Sequence, residues 1–127
     1  MKLNRSKIIE SVKRALREDG VEKDLSLMTN KIDTRKTLKA KVVSRQNGIL
    51  SGSLWFEESF NQIDKKAKVK WNVKEGNSFK KNKVIAEIKA SSKSILSGER
   101  TALNFLQLMS GISTKAKYYS SYLKGSE

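Results

Sequence analysis

Toward the end of the chain, Arg100, Asn104, Gln107 and Gly111 recur at i, i+4, i+7 and i+11. On a helix that spacing lines them along one narrow stripe. The run that holds them, SILSGERTALNFLQLMSGIST, is apolar almost all round, which marks a helix built for burial. Ala102, Leu106, Met109 and Ile112/Ser113 line another stripe. A buried guanidinium is costly unless it meets an anion and fills its hydrogen bonds. Its planar fork suits a carboxylate or a phosphate. Arg100 therefore points to the binding of an acid. The local alternative is that Arg100 pairs with Glu99 or with another carboxylate of the chain. Asn104, one turn on, is either a second ligand contact or a helix-stabilising partner, and the period does not decide.

Other chemistries fall away on composition. The chain has 127 residues, the size of one domain or of one domain with part of a neighbour. It has no cysteine, so it offers no disulfide framework, thiolate metal site or cysteine nucleophile. It has no histidine, the commonest metal ligand and general base. No apolar run approaches the ~18–20 residues of a membrane span, and the start MKLNRSKIIESVKR lacks a signal-peptide core. A soluble cytoplasmic protein is the expectation.

Twenty-seven Lys and Arg against thirteen Asp and Glu give a net charge of +14, which attracts polyanions. The excess is spread along the chain. Residues 1–45 carry 13 basic and 6 acidic groups, residues 61–93 carry 10 and 3, and residues 94–127 carry 4 and 2. Lysine dominates and no arginine-rich arm exists, so a lysine-rich solvated surface that attracts small anionic substrates is favoured over nucleic-acid binding, and no specific nucleic-acid partner is expected.

The elements that must position the arginine follow from periodicity. Residues 4–19 read as an amphipathic helix, with Ile8, Ile9, Val12, Ala15 and Leu16 on one stripe and Asn4 or Ser6 as cap. Residues 20–37 show no period and read as loop. Leu38–Ser44 alternates as a strand, Gln46-Asn47-Gly48 turns the chain, and Ile49-Leu50 resumes the apolar pattern. Residues 53–63 switch to helical spacing through Trp55, Phe56, Phe60 and Ile63. Ala67–Val73 alternates cleanly, Lys74–Asn77 turns, and Val84–Ile88 is another strand. This order is that of an α+β layer.

The segment GERTALNFLQLMSGIST resembles the interdomain helix of the quinolinate phosphoribosyltransferase family, with its G/A-E-R-x-x-L-N-x-L pattern and S-G-I-A-T turn. Glu99, Arg100, Leu103, Asn104, Leu106, Ser110, Gly111, Ile112 and Thr114 match, with Ser113 in place of alanine. Upstream, Ala15-Leu16-Arg17-Glu18-Asp19 is similar to the family's A-L-x-E-D. KVVSRQNGILSG (41–52) resembles its strand–turn–strand ending in G-x-x-x-G. Val73–Gly76 with Val84–Ile88 resembles its V-x-x-G-D … G-x-x-L-x-x-I. Order and spacing agree over about residues 12–123. Asn77 stands in place of Asp, Lys81-Asn82 in place of Pro-Gly, and Asp24-Leu25-Ser26 in place of D-I-T. DTRKT at 33–37 looks like a substrate motif of the family's barrel, but it precedes the helix rather than following it, so no role is carried onto Arg35 or Lys36.

The resemblance implies a small open-faced α/β sandwich over residues 1–93. Residues 94–127 would be the linking helix and the start of an α/β barrel that is absent from this chain. It implies transfer of phosphoribosyl from phosphoribosyl pyrophosphate to quinolinate, with loss of carbon dioxide, to give nicotinate mononucleotide for NAD biosynthesis. Mg²⁺ would accompany the pyrophosphate substrate and would not be bound by this chain alone. The implied assembly is a homodimer in which one subunit's N-terminal part closes the other's barrel. Arg100 would then bind a quinolinate carboxylate in trans, with Glu99 and Asn104 supporting it. The catalytic residues would follow position 127, so the expectation is an N-terminal fragment inactive by itself. Leu103, Phe105, Leu108 and Met109 should be left partly exposed.

Three rivals stand beside this reading. Val73–Ile88 also resembles the hairpin of a biotinyl or lipoyl carrier, with Lys89 or Lys93 as the modified lysine. The charge allows a basic nucleic-acid-binding protein. A sister phosphoribosyltransferase of the same architecture, such as the molybdenum-linked proteins of the superfamily, would share this N-terminal half.

Overall fold

The structure, a computed structural model, describes residues 4–18 and 37–120, and for 117–120 the backbone only. Of the loop read at 20–37 only Thr37 is described, and it begins a strand; the Asp24-Leu25-Ser26 turn and the rest of DTRKT lie outside the described residues.

Helix α1 (Arg5–Glu18) forms where the periodicity places it, with Ile8, Val12 and Leu16 buried on one stripe. Asn4 caps its start by accepting the Lys7 N–H at 3.3 Å. Four strands build the main sheet: β1 (Thr37–Ser44), β3 (Lys68–Trp71), β5 (Val84–Ser91) and β6 (Thr114–Ser120). Their order is β3-β5-β1-β6, and every neighbouring pair is antiparallel. Short strands β2 (Gly48–Ile49) and β4 (Ser78–Phe79) pair in a separate ladder.

Helices α2 (Ser53–Asn61) and α3 (Ser92–Ser110) cover one face of the sheet. Period-two alternation sends Ala40 and Val42 of β1, and Ala86, Ile88 and Ala90 of β5, into the core beneath them. From above come Phe56 and Phe60 of α2, and Ile95, Ala102 and Leu106 of α3. Phe56 sits edge-on to both Phe60 and Trp71, with ring centroids 5.4 and 5.2 Å apart. Helix α1 lies outside this layer, its stripe against Leu54, Trp55, Ile63 and Phe105. On the uncovered face of the sheet Lys39, Lys68, Lys70 and Lys89 are exposed. One wet face and one covered face make the expected open-faced sandwich.

Two elements depart from the periodic reading. β4 is two residues long, too short for a pattern to show. β6 lies beyond the apolar helix; its sequence TKAKYYS alternates, and it pairs with the edge that β1 offers from Leu38 to Ser44. The sequence reading parts the chain between residues 93 and 94. In the fold, Ile95, Ala102, Leu106 and Ile112 share the core with β1 and β5. The carrier reading needs correction: Lys89 lies within β5 and Lys93 in the first turn of α3, so neither stands at a hairpin tip.

Candidate functional site

Helix α3 carries the candidate residues, and three local devices fix how it lies. At its start Ser91 is the cap, its hydroxyl accepting the Ser94 N–H at 3.1 Å. The Ser94 hydroxyl in turn donates to Asp64 Oδ2 at 3.0 Å. One turn on, Gly98 lets α3 close on the α2 side. A Cβ there would lie 3.0 Å from Phe60 Cδ1 and 3.1 Å from Ile63 Cδ1. At its end Gly111 takes the left-handed conformation, φ 67°, and donates its N–H back to Gln107 O.

The last turn is also clamped sideways. The Ser51 N–H donates to Ser110 Oγ at 2.8 Å, and the Ser110 hydroxyl donates to Ser51 O at 2.8 Å. Gly52, at φ 94°, lies so close to Met109 that a Cβ would come within 2.8 Å of its sulfur. Gly52 begins α2 without a side chain to cap it, and Glu75 fills that role from a distant turn. Its two carboxylate oxygens accept the Gly52 and Ser53 N–H groups, each at 3.0 Å. Partial burial pushes the Glu75 carboxyl up, but the bonds from Ser53, Gly52 and Ser51 outweigh it and hold the group below its ordinary value.

These devices decide where Arg100 points. Two residues past Gly98, a rotation of about 200° carries it to the opposite side of the helix from α2. Arg100, Asn104, Gln107 and Gly111 do share one stripe, and all four are exposed. The expectation of a helix apolar all round, with its arginine buried, is thus corrected. Apolar density shows that a helix will be covered, but not whether its own chain covers every side. Among the described residues no carboxylate forms an ion pair with Arg100. Glu99, half-buried on the neighbouring face, is turned away from the stripe and has an interaction of its own.

Beside the stripe lies apolar surface. Leu108 is 81% exposed and Met109 39%, while Leu103 and Phe105 are half-buried, packed on the main core and on the α1 cluster. A groove of about 200 Å³ runs between α3 and α1, lined by Ala15, Glu18, Thr101, Asn104, Phe105 and Leu108. Glu18 at its wall disfavours an anion in that groove, and Arg100 lies outside its lining. Sequence reasoning did not foresee the parts of Ser51, Glu75 and Ser110; Ser51 and Ser110 fall inside the two glycine-containing motifs, the available signal.

A four-stranded antiparallel sheet backed by helices, with Arg100 exposed on the last of them, is an open-faced α+β sandwich. Residues 24–110 match the family described as "Quinolinate phosphoribosyl transferase, N-terminal domain", and the chain belongs to that family. It is 42% identical over 84 residues to the nicotinate-nucleotide pyrophosphorylase (carboxylating) of Dictyostelium discoideum, covering 60% of this chain and 27% of that protein. It is 31% identical over 104 residues to the enzyme of the same name from Oryza sativa, covering 81% of this chain and 28% of that one. Its fold is similar to the solved nicotinate-nucleotide pyrophosphorylase of Francisella tularensis, with TM-score 0.71 and 27% identity, over 84% of this chain and 37% of that one. The matched part therefore spans 27% to 37% of the length of these proteins.

Proposed function

We propose that this chain is the N-terminal part of a quinolinate phosphoribosyltransferase of NAD biosynthesis, and that Arg100 binds a quinolinate carboxylate in the barrel of a second subunit. One observation carries the reading: Arg100 projects from α3 to the outside, beside exposed Leu108 and Met109, with no ion pair among the described residues. An exposed guanidinium bordered by bare apolar surface suits a site completed by another surface, where burial strengthens its grip on a dicarboxylate. Asn104, on the same stripe, supports that contact, and Glu99 holds the helix from its inner side. The partners in this reading are quinolinate, phosphoribosyl pyrophosphate and a second copy in the cytoplasm. The segment from residue 94 leads toward the barrel.

Mg²⁺ is implied for the pyrophosphate substrate, where it would neutralise phosphate charge. Among the described residues no three acidic side chains gather to hold it. This chain's own part is to bind and orient the acid. Among the described residues no helix is long and apolar enough to cross a membrane.

The test is subunit mixing in a protein that joins this chain to its family's barrel. Subunits altered at Arg100 are combined with subunits inactivated in the barrel. Recovery of nicotinate mononucleotide synthesis on mixing supports a contact made in trans; no recovery refutes it.

A further inference from the structure

Strand pairing gathers on one face of the sheet a charge that is scattered along the chain. Register sets Lys68 of β3 beside Lys89 of β5, and Lys89 beside Lys39 of β1. One row thus crosses three strands with a lysine on each. Two residues along, Lys70, Glu87 and Lys41 make a second row, and β6 pairs Lys117 with Lys41 in the same register. Lys39, Lys68, Lys70 and Lys89 are exposed, whereas their chain neighbours Ala40, Ile88 and Ala90 are buried under the helices. With strands about 4.8 Å apart and a two-residue repeat of about 6.7 Å, the grid spans about 10 by 7 Å at the backbone. Long side chains extend it further. Across β3, β5 and β1 a single carboxylate, Glu87, stands among five lysines.

We propose that this open face binds the phosphate backbone of nucleic acid without reading its sequence. The lysines are set by register in parallel rows along a sheet, not around one point. A small anion meets one or two of them, whereas a chain of phosphates meets them all at once. The same face of a second copy is a poor occupant, because it would set one lysine grid against another. A protein partner would find little to bury, since interface centres use aromatics, methionine and arginine and are depleted in lysine. By register Tyr119 of β6 falls beside Lys39 at the end of the first row, and across β3, β5 and β1 it is lysines that meet the phosphate backbone. The surface faces away from α3, and this inference stands apart from the reading of Arg100.

The 127-residue chain is titrated into a labelled DNA duplex of about 20 base pairs of arbitrary sequence, followed by anisotropy between about 50 and 200 mM salt. Contacts from the four exposed lysines, Lys39, Lys68, Lys70 and Lys89, predict a slope of log K against log salt of about −3 to −4. K39Q/K68Q/K89Q should lessen that slope by about 3, and Lys89→Gln alone by about 1. The control K7Q/K13Q/R14Q removes the same charge from exposed positions of α1 and should change the slope by less than about 1. Equal losses in the two triple variants would show diffuse attraction only and overturn the proposal. So would absence of binding at the lowest salt, or capture by phosphatidylserine vesicles but not by the duplex. Circular dichroism checks each fold, and the single variant keeps the test decisive if the triple unfolds.

Discussion

Ser110 and Ser51 hold each other twice, the hydroxyl of the first accepting from the N–H and donating to the carbonyl of the second, both at 2.8 Å. This joins the last turn of α3 to the segment between β2 and α2. Gly52 lies against Met109 on one side of the joint. On the other, a Cβ on Gly48 would come within 2.3 Å of Ile112 Cγ2. The G-x-x-x-G and S-G-I-x-T motifs are thus two halves of one contact, which sets the line along which α3 carries Arg100.

Ser110→Ala should destabilise the chain by about 1–3 kcal/mol, because it leaves the Ser51 N–H and carbonyl without their partner in a half-buried setting. Urea unfolding of the variant beside the parent measures it. A change below about 0.5 kcal/mol would show that water replaces the clamp at no cost.

Gly52→Ala and Gly76→Ala separate two costs of a side chain at positive φ. Both glycines lie in the left-handed region, at 94° and 88°, but a Cβ on Gly76 meets nothing within 4 Å. Gly76→Ala should cost about 1–2 kcal/mol from backbone strain alone. Gly52→Ala should cost clearly more in thermal unfolding, because Met109 must also move. Equal costs would mean that Met109 yields freely.

Glu75 predicts an acid dependence. Its carboxyl is held below its ordinary value in the folded chain by the Ser53, Gly52 and Ser51 bonds, against the upward push of partial burial. The stability it contributes is therefore fully present above the ordinary glutamate value of about 4.3 and is lost as pH falls through the lowered one. Glu75→Gln should be less stable than the parent at neutral pH and approach it in acid. A constant difference across that range would exclude the carboxylate from the cap.

Arg100→Ala, in a protein that joins this chain to the barrel, should raise KM for quinolinate about ten- to a hundredfold, the scale of a charge-assisted hydrogen bond. KM for phosphoribosyl pyrophosphate should stay near its parent value. Arg100→Lys should recover only part of the loss, because a point charge does not replace a fork. Steady-state kinetics with each substrate varied in turn decide it. An unchanged KM for quinolinate removes Arg100 from the site.

Much of the fold was legible along the chain because each main element has its own period. Ile8, Val12 and Leu16 mark α1, and Ala40 and Val42 mark β1. Phe56 and Phe60 mark α2, and the long apolar run marks α3. β4 was not legible, because two residues have no period, and β6 was not, because its pairing depends on the distant edge of β1. Arg100 was legible as a residue type in a recognisable motif. Its exposure was not, because apolar neighbours are equally needed against one's own core and against another surface.

The amino-acid order alone determined where the three helices and the longer core strands β1, β3 and β5 lie, and which family's pattern the chain carries. Only the tertiary structure decided that Arg100 faces outward, that Glu75 caps a helix it does not belong to, and that Lys39, Lys68 and Lys89 stand in one row. The reason is the range of the forces involved. Periodicity is written in neighbours a few residues apart, whereas direction, remote capping and the grouping of like charges depend on register between strands and on the close approach of helices.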